Sequence, residues 1–403
     1  MALAIVLVLA IWIRRQWLAG RSSAGSAAIS QPNATPPRVS RRTLLVGGVV
    51  VGLELVGVGW FISKLPALIP QRKFKLAIAF KQFPLIAWAP DGRRLVGLGD
   101  GGALTVWDAT TGATLQRLPI VIDNLLGFAW SPDGAQIAIG SVSNVLGAAA
   151  EILLWDVASQ RMTRTYLDSY AQPQTSPTVF WQGSRVGFLT ATTASGKAVA
   201  DIYLWDALTN TNRKLFSAQN FPDTLVFSPD GRYLAAMDGI GTLTETQVSI
   251  WDALTWQLII THTFVKRDEL DDMQTLTWSP DGRRLALGAA YNCALVMDAL
   301  TGAHRQTLQG PLDSFNMFPD MTEIRSISWS PDSRYLATAS DDTTVRIWRD
   351  MPDGQPQSVF VWIGHLAPVD TVVWSPSGKL IASGDANHTV QIWRPQGDLW
   401  GGA

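Results

Sequence analysis

A four-residue turn recurs along most of this chain, and no other feature of the sequence limits its fold as tightly. It reads Ala89-Pro-Asp-Gly92, Ser131-Pro-Asp-Gly134, Ser228-Pro-Asp-Gly231, Ser279-Pro-Asp-Gly282, Ser330-Pro-Asp-Ser333 and Ser375-Pro-Ser-Gly378. Trp181-Gln-Gly-Ser184 is a worn copy in the gap between the second and third. Pro presets φ, Ser and Asp bond the local backbone, and Gly accepts φ > 0, so each copy predicts a tight turn. An aromatic residue precedes each turn: Trp88, Trp130, Phe180, Phe227, Trp278, Trp329 and Trp374. Downstream each copy closes on Trp-Asp or a relic of it: Trp107-Asp108, Trp155-Asp156, Trp205-Asp206, Trp251-Asp252, Met297-Asp298, Trp348-Arg349 and Trp393-Arg394. The apolar runs between turns are too short for helices and rich in Val, Ile and Trp, as strands are. About seven such units, spaced roughly 45–50 residues apart, have the period of propeller blades.

Turn, aromatic and Trp-Asp recur together in register, and in this the chain resembles the WD40-repeat family from about Lys75 to Arg394. The resemblance, to the bacterial membrane-anchored type, implies an all-β, seven-bladed propeller of four-stranded antiparallel blades. It also implies a His–Ser/Thr–Asp–Trp network. In the last copy His365, Ser383 and Trp393 match, with Asn387 where Asp is usual. In the sixth, Thr338, Asp342 and Trp348 match, with Asp320 near the His position. Little strand character follows Trp393, so Lys75–Phe80 is expected to supply the outer strand of the seventh blade and close the ring.

Ahead of the repeats the chain changes character. Residues 1–19 form a short apolar segment broken by Arg14-Arg15, and 20–43 an Arg-, Ser- and Pro-rich stretch that reads as disordered linker. Residues 44–62 are apolar apart from Glu54 and long enough for a transmembrane helix. The preceding Arg41-Arg42 resembles a twin-arginine export signal, and also suits the cytoplasmic end of an ordinary span. The expectation is an uncleaved anchor, a propeller over 75–394 on the extracytoplasmic side, and a tail at 395–403.

Charge narrows the partners. About ten Arg and Lys stand at or before Lys75 against Glu54 alone, so the rest carries an excess of about ten acidic charges. That surface disfavours nucleic acid. The single Cys293 rules out an intramolecular disulfide and a Cys-based zinc site. None of His262, His304, His365 and His388 has metal-ligand spacing with another His or Cys. The recurrent Asp133, Asp230 and Asp281 read as turn formers, and Ser184 and Ser195 lack a nucleophile-elbow context. No catalytic residue, cofactor or metal is expected.

The tight turns follow the first and third strands and so share one end of the ring. The long connections, among them 141–151, 190–201, 238–247, 265–274 and 309–323, gather at the other. Binding concentrates on long loops held by a rigid scaffold, so that face is the expected partner surface. Two loops there have distinct chemistry: acidic with Arg267, Asp268, Glu269, Asp271 and Asp272, and apolar with Phe315, Met317 and Phe318. The functional expectation is a monomeric, non-enzymatic scaffold or sensor for another protein. The alternatives are an extracytoplasmic enzyme or small-ligand binder that uses the ring's channel, and a soluble cytoplasmic scaffold.

Overall fold

The strands pair in seven four-stranded antiparallel sheets, six of them built from consecutive strands. The computed structural model describes residues 72–77, 86–98, 103–121, 125–143, 149–168, 179–182, 185–194, 197–218, 224–238, 245–265, 273, 275–310, 323–349, 357–387 and 389–395. Blade 1 runs Ile86–Trp88, Arg94–Leu98, Ala103–Asp108 and Thr114–Val121, in that order across the sheet. Blades 2 to 6 repeat this meander. Blade 7 takes Val369–Trp374, Ile381–Asp385 and Thr389–Trp393 from the end of the repeats and Arg72–Ala77 from before them. Phe74 lies opposite Ile392 and Ala77 opposite Thr389. The closing strand is therefore present, starting and ending three residues earlier than the Lys75–Phe80 expected. First strands of neighbouring blades meet around the axis, and that of blade 1 meets that of blade 7, which completes the ring.

The tight turns of blades 1, 2 and 4 to 7 are fixed by their own side chains. In blade 2 the Ser131 hydroxyl donates to Asp133 at 2.6 Å and accepts the Gln136 N–H, while the Gly134 N–H donates to the Ser131 carbonyl. Gly134 sits at φ 67°, where a Cβ is strained. Blade 6 puts Ser333 there at φ 60°, and its hydroxyl accepts the Asp281 N–H of blade 5, which offsets the strain. The Trp-Asp aspartates cap the other tight turn: Asp108 accepts from the Thr110 and Thr111 N–H groups at 2.8 Å. Those bonds, with the Thr110 hydroxyl foremost, bring the Asp108 carboxyl down to about 2. Bonds such as Ala109 N–H to Arg93 O and Ala253 N–H to Arg232 O tie the two tight turns together on one face.

In blades 1, 2 and 5 the aromatic before the turn clamps its blade to the preceding one. The indole N–H of Trp130 donates to Ala87 O, Trp88 to Val373 O and Trp278 to Val226 O. In blade 3 the same bond, to Ala129 O at 3.0 Å, comes from Trp181. Trp181, not Phe180, therefore holds the clamp position; Phe180 instead packs 4.8 Å from Phe227 of blade 4. Between blades 6 and 7 serines take over: Ser326 accepts the Val372 N–H and Ser328 the Trp374 N–H. Apolar side chains from both faces of each sheet fill the spaces between blades, as in the cluster of Leu95, Val106, Trp130, Ile137 and Leu153. Cys293 is fully buried in this material.

One expected long loop is sheet instead. Blade 3 pairs Arg185–Ala194 with Lys197–Asp206 out to Ala194 opposite Lys197, so 190–201 is mostly ladder. Its Thr and Val residues favour the pleat over an open connection. The expected transmembrane helix at 44–62 and the apolar segment 1–19 lie outside the described residues, among which no helix is long and apolar enough to cross a membrane.

Candidate functional site

The long-loop face over blades 6 and 7 carries the densest polar organisation among the described residues. In blade 7, His365 stands in the loop that enters the first strand and is fully buried. Its Nδ1 lies 2.7 Å from Asp385 Oδ2 and its Nε2 lies 2.7 Å from Ser383 Oγ. The Trp393 indole N–H donates to the same Ser383 oxygen at 3.0 Å. One assignment gives every proton an acceptor: Trp393 to Ser383, Ser383 to His365 Nε2, and His365 Nδ1–H to Asp385. The Gln391 amide donates to Gly364 O at 2.8 Å and holds the loop from below.

The carboxylate of this network belongs to Asp385, and Asn387 offers its backbone N–H to it. Asp385 serves both sides. Its Oδ2 meets His365, while Oδ1 accepts the Asn387 and Thr389 N–H groups and closes the turn. In blade 6 the Trp348 indole donates to Thr338 Oγ1 at 3.0 Å, but Asp342 does not meet a histidine. Arg346 Nη2, the Thr344 hydroxyl and Asn292 Nδ2 of blade 5 all donate to it, at 2.6 to 2.8 Å. Burial works against charge on Asp342, yet the Thr344 and Arg346 bonds hold its carboxyl below the ordinary range.

Above these networks the first strands of blades 6 and 7 each begin with a bulge. Register shifts between Ile324 and Ser326 and between Val369 and Thr371, so Arg325 and Asp370 are the unpaired residues. Bulges re-aim side chains. Arg325 forms a fork with Asp341, at 2.9 and 3.1 Å, and approaches Glu323 at 3.4 Å. The half-buried Asp370 carboxylate makes no hydrogen bond or ion pair among the described residues. Burial pushes it up to about 6; Arg325 pulls the other way, while Asp341 and Asp385 add to the rise. The loop between the two blades leaves Ile363 58% and Leu366 86% exposed, either side of the buried His365. An apolar pair therefore sits on a fixed loop near an unmatched carboxylate. The sequence flagged His365 but not Leu366, Ile363 or Asp370; an apolar residue next to a buried histidine was the available signal.

The other nominated residues are not brought into this site. Arg267, Asp268, Glu269, Asp271, Asp272, Phe315, Met317 and Phe318 lie outside the described residues, as does His388. His262 Nε2–H donates to Ala299 O at 2.7 Å, and His304 pairs with Asp298 at 2.7 Å. Among the described residues, no group of three or more His, Cys, Asp and Glu could hold a metal ion.

The same two blades are those that match a family model, the WD domain, G-beta repeat, over residues 316–349 and 356–394. A chromatin assembly factor 1 subunit FAS2 homolog of Oryza sativa subsp. japonica is 30% identical over 176 residues, covering 41% of this chain and 32% of that protein. A WD repeat-containing protein WDS homolog of Arabidopsis thaliana is 22% identical over 277 residues, covering 65% and 46%. The matched stretch thus spans less than half the length of either relative. A chain in the crystal structure of the mitotic checkpoint complex shares the fold, with a TM-score of 0.63 at 18% identity over 92% of this chain and 98% of that one. Together the repeats, the seven blades and these matches support the WD40-repeat family. They correct the expected localisation. The relatives are eukaryotic WD-repeat proteins, one named for chromatin assembly, and neither they nor the described residues support a membrane-anchored, extracytoplasmic or bacterial type.

Proposed function

We propose that this WD40-repeat propeller is a non-catalytic scaffold that binds a protein partner on its long-loop face, over blades 6 and 7. The observation that carries the reading is Leu366, almost fully exposed on a loop whose next-door residue, His365, is locked by two hydrogen bonds at 2.7 Å. A loop fixed in advance loses little entropy on binding, and covering Leu366 is worth about 1.5–3 kcal/mol. Asp370 supplies an unmatched charge at the rim, so the partner segment is apolar and carries a basic residue. The relatives' names accord with this, since one is a subunit of an assembly factor. The connections 266–272 and 311–322 belong to the same proposal, because the strands they join begin and end on this face.

The opposite face exposes Leu208, Leu254 and Leu300, one per blade in the same turn slot. Single exposed leucines separated by polar turns are ordinary surface and serve as the control. Partners cross-linked to the wild-type chain in its own cells are identified, then compared across variants. Leu366→Asp with Ile363→Asp should cut capture by about tenfold at an unchanged melting temperature. Leu254→Asp should leave capture intact. Undiminished capture by the first variant, or loss confined to the second, rejects the proposed surface.

A further inference from the structure

Each blade ends in an outer strand whose alternate N–H and C=O groups point away from the sheet, a standing invitation to another strand. Most of these edges are guarded. Thr114–Val121 carries Arg117 and Pro119, Arg161–Asp168 carries Arg161 and Arg164, Thr211–Ala218 carries Arg213 and Lys214, and Arg72–Ala77 carries three basic residues. Gln306–Gln309 is only four residues long, and Gln357–Trp362 follows Pro356 directly. Leu258–Val265 of blade 4 has no such guard. It runs eight residues, LIITHTFV, with no charge and no proline. It also leaves Leu258 56%, Ile259 46% and Val265 54% exposed.

The strand is held rigidly. His262 and Phe264 are buried toward blade 5, where His262 Nε2 meets Ala299 O at 2.7 Å and the Arg305 guanidinium lies over the Phe264 ring. Thr261 Oγ1 bonds Ser249 Oγ of the neighbouring strand at 2.9 Å. Thr261, Thr263 and Val265 remain open on the other face.

We propose that two copies of this chain pair edge to edge, antiparallel, through Leu258–Val265, about a two-fold axis at His262. The occupant follows from the sequence of the strand, which is nearly mirror-symmetric about that residue. Thr261 mirrors Thr263, Ile260 mirrors Phe264, and Ile259 mirrors Val265. A two-fold contact requires each residue to meet its mirror position in the other copy. Here hydroxyl would face hydroxyl and apolar would face apolar, pairs that stabilise an antiparallel ladder. A copy brings no like charge to this edge, as a copy of the Arg- and Lys-bearing edges would. Such a dimer is closed and leaves no new edge to propagate. It replaces the monomer expected from sequence and leaves the long-loop face free.

Sedimentation equilibrium of the full-length chain across a concentration series tests this. The wild type should show a reversible monomer–dimer equilibrium that tightens with added salt, because the acidic propellers repel each other. Thr263→Lys should raise the dissociation constant by about tenfold or more, since lysine is the usual guard of an edge. The register adds a sharper arm. Thr261→Glu with Thr263→Lys sets Glu against Lys across the axis twice and should restore the dimer, whereas Thr261→Lys with Thr263→Lys should abolish it. Circular dichroism and melting check the fold of each variant, and Val265→Lys replaces any that fails to fold. A wild type that stays monomeric, including one that accepts only an added extended peptide, overturns the copy as occupant. So does a dimer indifferent to Thr263→Lys, or equal loss in the two double variants.

Discussion

Asp370 is the residue whose chemistry departs most from its ordinary state. Its carboxyl is raised to about 6, mainly by burial at the bulge that opens blade 7. A raised carboxyl binds its proton more tightly in the folded chain than in the unfolded one. It therefore favours folding below the unfolded value near 4, and that contribution is lost as pH rises through about 6. Asp370→Asn should accordingly raise stability at pH 7.5 and change little at pH 4, as urea titrations at the two pH values would show. Equal effects at both would mean that the charge is not what the site resists. Asp108 has the opposite sign: its contribution is present above about 4 and lost as pH falls toward 2. These differences were not legible in the sequence, where Asp370 is one acidic residue among many. Burial at a bulge depends on the register of a neighbouring strand. The Asn387 expectation missed for a related reason. Asn387 lies as far past Ser383 as Asp342 lies past Thr338, but blade 7 draws its carboxylate two residues earlier, from the end of the strand.

At the scale of one blade, the last is stapled by its hydrogen-bonded quartet. His365→Ala leaves the Asp385 carboxylate, 3% exposed, without its main partner. Losing a hydrogen bond to a buried carboxylate costs about 1.5–3 kcal/mol, readable in chemical denaturation. Ser383→Ala removes the acceptor of Trp393 and the donor to His365, and costs about 1–3 kcal/mol. The two losses overlap, so the double variant should fall short of their sum. A sum reached in full would mean that the four side chains do not act together. The repeat made most strands legible, because turn chemistry and alternating Val, Ile and Trp are local signals. Blade 3 was the least legible. Its turn has lost Ser-Pro-Asp-Gly, and only the bond from Trp181 to Ala129 O shows which aromatic is the clamp. Its long ladder also read as a loop, since its alanines and the Ser195-Gly196 pair dilute the pleat preference of Thr and Val.

For the whole molecule, ring closure turns seven sheets into one scaffold and holds the mouth over blades 6 and 7 in a fixed shape. The seven-blade count and the shared face of the tight turns could be read from periodicity, and the closing strand, three residues from where it was expected, from the weak strand character after Trp393. The localisation was not legible, because it rested on apolar composition near the N-terminus, which says what a segment could do and lies outside the described residues. The closing strand, Arg72–Ala77, is what joins the first repeat to the last. Thermal unfolding of the full-length chain against a variant lacking Arg72–Ala77 tests the closed ring most directly. If the strand closes the ring, its removal lowers the unfolding midpoint by about 10 °C or more and broadens the transition. An unchanged midpoint with an equally sharp transition would contradict it.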